Sequence, residues 1–488
     1  MDQFPLGHKW KPETGKTRDR ESSDLSGNMQ IIAPAGSGKG VALEMPAMLL
    51  PDALRSSSLL NPDPSGQNAA VCAAALRAKG YKVWCFNPKG LHTTRYPDLA
   101  CIGCNPMDAL DPRDPARFFM RAVAIAEALV PMSDSGNGRF FETSGRGFAA
   151  WLIMYVKLRD GPDAHLGTVR DLGTEAEEID EDGTPITGPR YHAMRAVAMG
   201  HARLASLAGR YVKETRSNND VMATFEAWTR PLLDDDVRAS LSRKDGIDFA
   251  RMTALDEPPK AVFLIVPAGS ELLFFAPLLR VLVNCFFDSV YAQGGGGRQV
   301  VALISESAQI GKLDGLLSCY GQGRKYKIRL VQVWQDFNQI REVFGRVGAG
   351  TVIANSNCLF AFNPGNDPES AEFLSTLSGD RLVPGLSAND DPSRPGDRGN
   401  ITPQRERSWS PEKIRSLPPL HGLVWKAGQP EPQPVYCPPY WDLKAARRAA
   451  RPDPYHLTLP SRQISRRWRA MAIVAIVTAC GVLAVCLL

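Results

Sequence analysis

The 488 residues are 44% hydrophobic and 22% charged, which excludes a disordered or collagen-like chain and leaves room for roughly two to four domains of ~100–200 residues. A formal charge of +5 is too mild to establish a nucleic-acid partner. Ten cysteines, scattered singly except for Cys101 and Cys104, together with a polar stretch at residues 1–30 where a secretory signal would stand, point to a reducing compartment.

In chain order, residues 1–29, with KPETGKTRDRESSDLSGN, lack apolar periodicity and read as a polar N-terminal arm. Short apolar runs bounded by turn residues then recur at 30–33, 81–86, 261–266, 299–304, 328–333, 358–362 and 423–426. Runs of this length, rich in Val, Ile, Phe and Trp, read as buried strands. Longer helical patterns lie between several of them, so the fold class is α/β with a mostly parallel sheet. Residues 111–254 interrupt the alternation. PARFFMRAVAIAEALV, FFETSGRGFAAWLIMYVKLRD, MRAVAMGHARLASLAG and NNDVMATFEAWTRPLL carry apolar residues at helical spacing. They predict an all-helical insertion domain of roughly 140 residues, a normal domain size. The α/β domain is then discontinuous, 30–110 and 255–430, and a Pro-rich, basic linker follows at 431–469. Residues 470–488 are uncharged and almost wholly apolar, behind the basic flank SRQISRRWR. At ~1.5 Å per residue they reach about 28 Å, and they read as a C-terminal transmembrane helix with the body on the cytoplasmic side.

Chemistry concentrates at IIAPAGSGKG, which reads as a phosphate-binding loop between a strand and a helix. Gly36 and Gly38 let backbone N–H groups turn inward around Ser37, Lys39 brings a cation, and the helix that begins near Gly40 adds its positive end. Ala33 stands where the usual first glycine would be, and Gly40 where a metal-binding Ser or Thr would be. A motor also needs an acidic strand end, and VVALISESAQIGKL supplies Ser305 and Glu306, a single carboxylate. Arg324, Lys325, Lys327 and Arg329 in GQGRKYKIR form a short basic run that either touches a nucleic-acid backbone or is a solvated strand approach. One Cys-x-x-Cys has no second pair to complete a zinc site, so Cys101 and Cys104 read as two buried or half-buried thiols.

The ordered series APAGSGKG, MPAMLL, FNPKG, CNPMDAL, RFFETSGRGFAAWLIMYV, DGIDFARM, AVFLIVP, LISESAQIGKLDGL, GQGRKYKIRLVQVWQDFNQI and TVIANSNCLFAFNPGNDPESAEFLSTLSGD resembles the TraG/TraD-like coupling proteins of type IV secretion and conjugation, from about residue 30 to about 380. The resemblance implies a RecA-like P-loop NTPase domain in a homo-hexameric ring at the bacterial inner membrane. It implies ATP and Mg2+ as cofactors, and relaxase-bound single-stranded DNA or effector proteins as cargo passed to the components of the secretion channel. The helical insertion would face the cargo. By the same resemblance Lys39 would contact the phosphates, Glu306 would activate water, Gln335 would sense the γ-phosphate, and Arg324 would serve a neighbouring subunit.

Departures from the family pattern are informative. An aspartate is usual where Ser305 stands, leaving Ser305 to hold a metal-bound water by hydrogen bond. The family's second-strand motif reads Asp-Pro-Lys-Gly-Glu, and aligned on FNPKG it has Asn87 and Leu91 in place of both acids. Family members usually carry N-terminal transmembrane helices, whereas this sequence places its apolar segment at the C-terminus. Two functions fit: a coupling ATPase, or a docking subunit that binds nucleotide without hydrolysing it and partners an active paralogue.

Overall fold

The computed structural model describes residues 2–131, 138–243, 246–386 and 401–456. Its strands are β1 Phe4–Lys11, β2 Lys16–Ser23, β3 Asn28–Ile32, β4 Ser58–Pro64, β5 Lys82–Phe86, β6 Lys260–Val266, β7 Val300–Ile304, β8 Ile328–Trp334, β9 Ser356–Phe362, β10 Asp380–Leu386, β11 Ile401–Arg407, β12 His421–Lys426 and β13 Gln433–Tyr436. Eleven of them form one sheet in the order β2-β1-β13-β12-β9-β3-β8-β7-β4-β6-β5, and β10 and β11 pair separately. From β9 to β5 every pairing is parallel, while β12, β13, β1 and β2 extend the sheet antiparallel.

The central strands NMQII, KAVFLIV, VVALI and IRLVQVW are buried at every position, as a parallel sheet covered on both faces requires. Their side chains alternate between two cores. Ile32, Leu60, Val262, Val300, Ala302 and Leu330 face one, and Ile31, Leu59, Ala261, Val301, Leu303 and Val331 face the other. The second core is closed by Met45–Leu49, Gln67–Ala78 and Lys444–Ala449.

The first core runs without a break into the helical insertion, whose helices include Pro115–Leu129, Gly138–Asp160, Leu166–Thr174, Gly188–Ala198, Ala202–Ala208, Arg216–Trp228 and Asp235–Leu241. Phe148 sits at its centre, edge-on to Trp151, Tyr211 and Phe225 at centroid distances of 5.6, 5.0 and 5.2 Å. Helix Ser270–Ala292 joins insertion and sheet. It is long and apolar enough to cross a membrane, but most of it is buried inside the domain. Its Arg280 donates to the carbonyls of Ala128 (3.0 Å) and Ile310 (2.6 Å). The apolar segment expected to cross the membrane, 470–488, lies outside the described residues.

Three expectations change. The polar arm is a hairpin on the sheet edge. Its solvent face is charged, and Phe4 and Leu6 are the two anchors that bury it, too few to show periodicity. The linker does not begin at 431. Gln433–Tyr436 is a strand, the Tyr440 N–H donates to the Val41 carbonyl at 2.8 Å, and Arg451 pairs with Asp98 at 2.9 Å. Of its prolines only Pro434 lies in this strand, opposite Leu423 of β12 and outside Val435 and Tyr436, the two positions that pair with β1.

Strand β4 was not expected at all, because Pro62 and Pro64 argue against a central strand. Its pairing with β7 stops at Leu60, before the first proline. Asn61 Nδ2 then donates to the Leu303 carbonyl at 2.8 Å, serving that acceptor where the ladder ends.

Candidate nucleotide site

Parallel strands all end on the same edge of the sheet, and that edge gathers residues far apart in sequence. β3 runs into the phosphate loop, β7 into Ser305 and Glu306, β8 into Gln335, and β4 into Asp63. β8 lies between the loop's strand and the acidic strand. The loop is tied down at its start, where the Ala33 N–H donates to the Trp334 carbonyl at 2.8 Å. Gly36 and Gly38 have φ of +75° and +90°, a conformation that glycine enters at no steric cost. Ala33, where a glycine is usual, is fully buried and is not among the positive-φ residues. After Lys39 the chain makes a wide π-type turn, Gly40–Glu44, before helix Met45–Leu49.

Lys39 Nζ lies 3.0 Å from Glu306 Oε1, and Gln335 Nε2 lies 3.5 Å from Glu306 Oε2. Three residues singled out in the sequence thus form one half-buried cluster at the mouth of the loop. Ser305 sits deeper. Its hydroxyl donates to Glu44 Oε2 at 2.6 Å and accepts from Asn61 Nδ2 at 3.1 Å. Asn68 Nδ2 donates to the same Glu44 oxygen at 2.9 Å. Burial pushes the Glu44 carboxyl upward, opposed by the Ser305 and Asn68 hydrogen bonds and by Lys39. Asp63 caps helix Gln67–Ala78, accepting from the N–H groups of Asn68 (3.3 Å) and Ala69 (2.7 Å). Burial pushes it to about 7 in spite of those bonds.

Arg324 does not join this cluster. It is exposed on the turn before β8, at the opposite end of a strand that at ~3.3 Å per residue spans about 20 Å. Arg329, from the same basic run, is buried and donates to the Leu25 carbonyl at 2.9 Å, a structural contact.

Asn87 and Leu91 are not the positions of missing acids. Asn87 follows β5, the edge strand, and closes its own loop. Its Nδ2 donates to the carbonyls of Leu91 and Leu99 at 3.0 Å each, and its Oδ1 accepts from the Leu91 N–H at 2.9 Å. The strand beside the acidic strand is β4, and it runs out through Asp63-Pro64 into Ser65-Gly66-Gln67 at the start of the next helix. That stretch keeps the Asp, Pro and Gly of the family motif and a carboxylate at its head. Sequence reading missed it with β4 itself. Glu44 was missed too, though a glutamate inside the apolar run VALEMPAMLL is a visible anomaly.

Cys101 accepts from the Asn87 N–H at 3.2 Å, its thiol lies 3.3 Å from Ser240 Oγ, and Cys104 is buried.

The loop fits a phosphate chain. It offers inward-turning glycines, a lysine, and a buried Ser37 hydroxyl without a hydrogen-bond partner in the protein. For a hydrated divalent ion the donor set is oxygen-rich, with Ser305, Glu44, Glu306 and Asp63 around the strand ends.

The sequence model of the family "Type IV secretory system Conjugative DNA transfer" matches residues 11–437. A conjugal transfer protein TraG of Rhizobium radiobacter is 26% identical over 376 residues, covering 73% of this chain and 53% of that protein. A TraG of Escherichia coli is 24% identical over 377 residues, covering 72% and 54%. The chain therefore spans about half the length of these curated relatives. Among solved structures, the plasmid coupling protein TrwB in complex with ADP and Mg2+ superposes with a TM-score of 0.60 at 17% identity, covering 90% of this chain and 95% of that one. TrwB in complex with a non-hydrolysable ATP analogue gives 0.61 at 18% identity, covering 89% and 94%. These likenesses show the fold, a mostly parallel sheet with a helical insertion.

Proposed function

Because the chain belongs to the type IV secretory system conjugative DNA transfer family, we propose that it is a coupling protein of a conjugative type IV secretion system, binding ATP with Mg2+ at the Lys39 loop. It would use that site to pass relaxase-bound single-stranded DNA or effector proteins to the channel. Assembly as a homo-hexamer at the bacterial inner membrane, with the body cytoplasmic and residues 470–488 as anchor, completes the reading. The observation that carries it is the meeting of Lys39, Glu306 and Gln335 at the mouth of a loop whose glycines have positive φ.

Bound nucleotide would supply the phosphoryl group and its magnesium the neutralising charge. The protein's own residues do the rest. Backbone N–H groups of residues 36–40 hold phosphate oxygens, and Ser37 Oγ adds a donor. Lys39 leaves Glu306 to bind the outer phosphates. Glu306, freed of that pairing, orients a water and accepts its proton, and Gln335 steadies the carboxylate. Arg324 on the far edge serves an adjacent subunit in a ring. The interposed strand β8 and the strand order support the RecA-like form of the fold. Ser305 in place of an acid favours a second reading, a docking subunit that holds nucleotide without turning it over.

Steady-state ATP turnover, with and without single-stranded DNA, separates the two. The ATPase reading expects turnover that DNA stimulates and that Glu306→Gln lowers about a hundredfold or more. Turnover at background in both proteins, with ATP still bound, would leave the docking subunit.

A further inference from the structure

The acid missing from the end of β7 has a neighbour that can take its place. Glu44 leaves the phosphate-loop helix one turn after Lys39 and is buried. Its Oε2 lies 2.6 Å from Ser305 Oγ, so its carboxylate occupies the space just beyond the serine. A longer side chain reaching in from the helix replaces a shorter one reaching out from the strand. The surrounding bonds fix both partners. Asn61 Nδ2 donates to Ser305 Oγ at 3.1 Å, which directs the serine's single proton to Glu44. Asn68 Nδ2 holds Glu44 Oε2 at 2.9 Å and reaches Asn61 Oδ1 at 3.2 Å. One lone pair of Ser305 Oγ is left over by this count.

We propose that Glu44 supplies, from the phosphate-loop helix, the carboxylate that the acidic strand lacks at Ser305, and that the Glu44–Ser305 pair holds the hydrated magnesium ion of a bound nucleotide. The proposal rests on the nucleotide site described above. A magnesium ion usually keeps several waters and needs only one or two carboxylates, so a carboxylate and a hydroxyl gripping its water shell suffice. The pair is a positioning device for the ion, distinct from Glu306, which faces the attacking water. The arrangement also predicts that restoring an aspartate at 305 alone is unproductive, since two carboxylates would then crowd one buried place.

The test is the ratio of ADP affinity with magnesium to that with EDTA, measured by calorimetry on the whole protein. The ratio should be well above one in the wild type. In Glu44→Gln it should fall at least fivefold toward one, in Ser305→Asp it should not rise, and in Glu44→Gln with Ser305→Asp it should recover. A purely structural Glu44 would lower the melting temperature of Glu44→Gln and leave the ratio where it was, which overturns the proposal. If Glu44→Gln does not fold, Ser305→Asp decides: a severalfold rise in its ratio means the site lacked an acid, and Glu44 was not supplying it. A wild type that binds ADP with no help from magnesium overturns the proposal alone. A wild type that binds no ADP in either condition overturns the nucleotide site as well.

Discussion

Gly38 and Gly40 stand two residues apart and answer to different constraints. Gly38 has φ +90°, and a Cβ there would meet Leu420 Cδ2 at 2.6 Å. Gly40 lies in the first turn of the helix, with nothing within 4 Å of an added Cβ. Gly38→Ala should therefore cost ~1–2 kcal/mol of stability from the backbone alone, and should weaken ATP binding by distorting the loop. Gly40→Ala should be neutral or stabilising by about 0.5–1 kcal/mol. Urea denaturation of both variants checks this, and equal losses would mean that the loop's shape does not depend on Gly38. The positions of these glycines are legible in GSGKG itself. Which of them is obligatory is not, because that depends on the backbone angle each adopts once the loop is packed, positive at Gly38 and not at Gly40. Ser305 is a second case of the same kind. Its departure from the family pattern is plain in the sequence. What it touches is not, because Glu44 reads as one polar residue in an apolar helix until the two elements are packed together.

Among the elements, helix Ser270–Ala292 has the most to reconcile. Its hydropathy suits a membrane, but it packs between the sheet and helix Pro115–Leu129. Asn284 Nδ2 donates to the Ala124 carbonyl at 3.4 Å and to Asp288 Oδ2 at 3.2 Å. Burial pushes Asp288 up to about 6; Arg121 draws it down and Glu127 raises it. A folded value above the unfolded 3.8 means that the folded state binds the proton more tightly. The stabilising contribution of this group is fully present below about 3.8 and is lost as pH rises through 6, an effect on the order of 2–3 kcal/mol. Asp288→Asn should therefore gain on the wild type as pH rises from 4.5 to 7.5 in chemical denaturation. A constant difference across that range would show that Asp288 ionises freely. Strand β4 is the element that sequence patterning lost. Its two prolines carry the signature of a loop, and only the early end of the β7 ladder makes them compatible with the middle of a sheet. With β4 went Asp63, and with it the correct position of the family's Asp-Pro-x-Gly motif.

At the scale of the whole molecule, the site exists because parallel strands end on one edge. Lys39 and Glu306 are 267 residues apart in sequence, with the helical insertion between them in the chain, and the sheet brings them within a hydrogen bond. The periodicity of the central strands and of the insertion helices was readable because each is buried on a regular face. The antiparallel extension by β1, β2 and β13 was not, because these strands are only partly buried and charge and proline interrupt their alternation. Every role proposed for this chain requires that the Lys39 loop bind nucleotide. Calorimetric titration of ATP with Mg2+ into the wild type and a Lys39→Ala variant of equal thermal stability decides whether it does. Saturable binding to the wild type is expected, with at least a tenfold weaker affinity for the variant, since the variant loses the cation proposed to meet the outer phosphates. Equal affinities, or no binding to either protein, would contradict it.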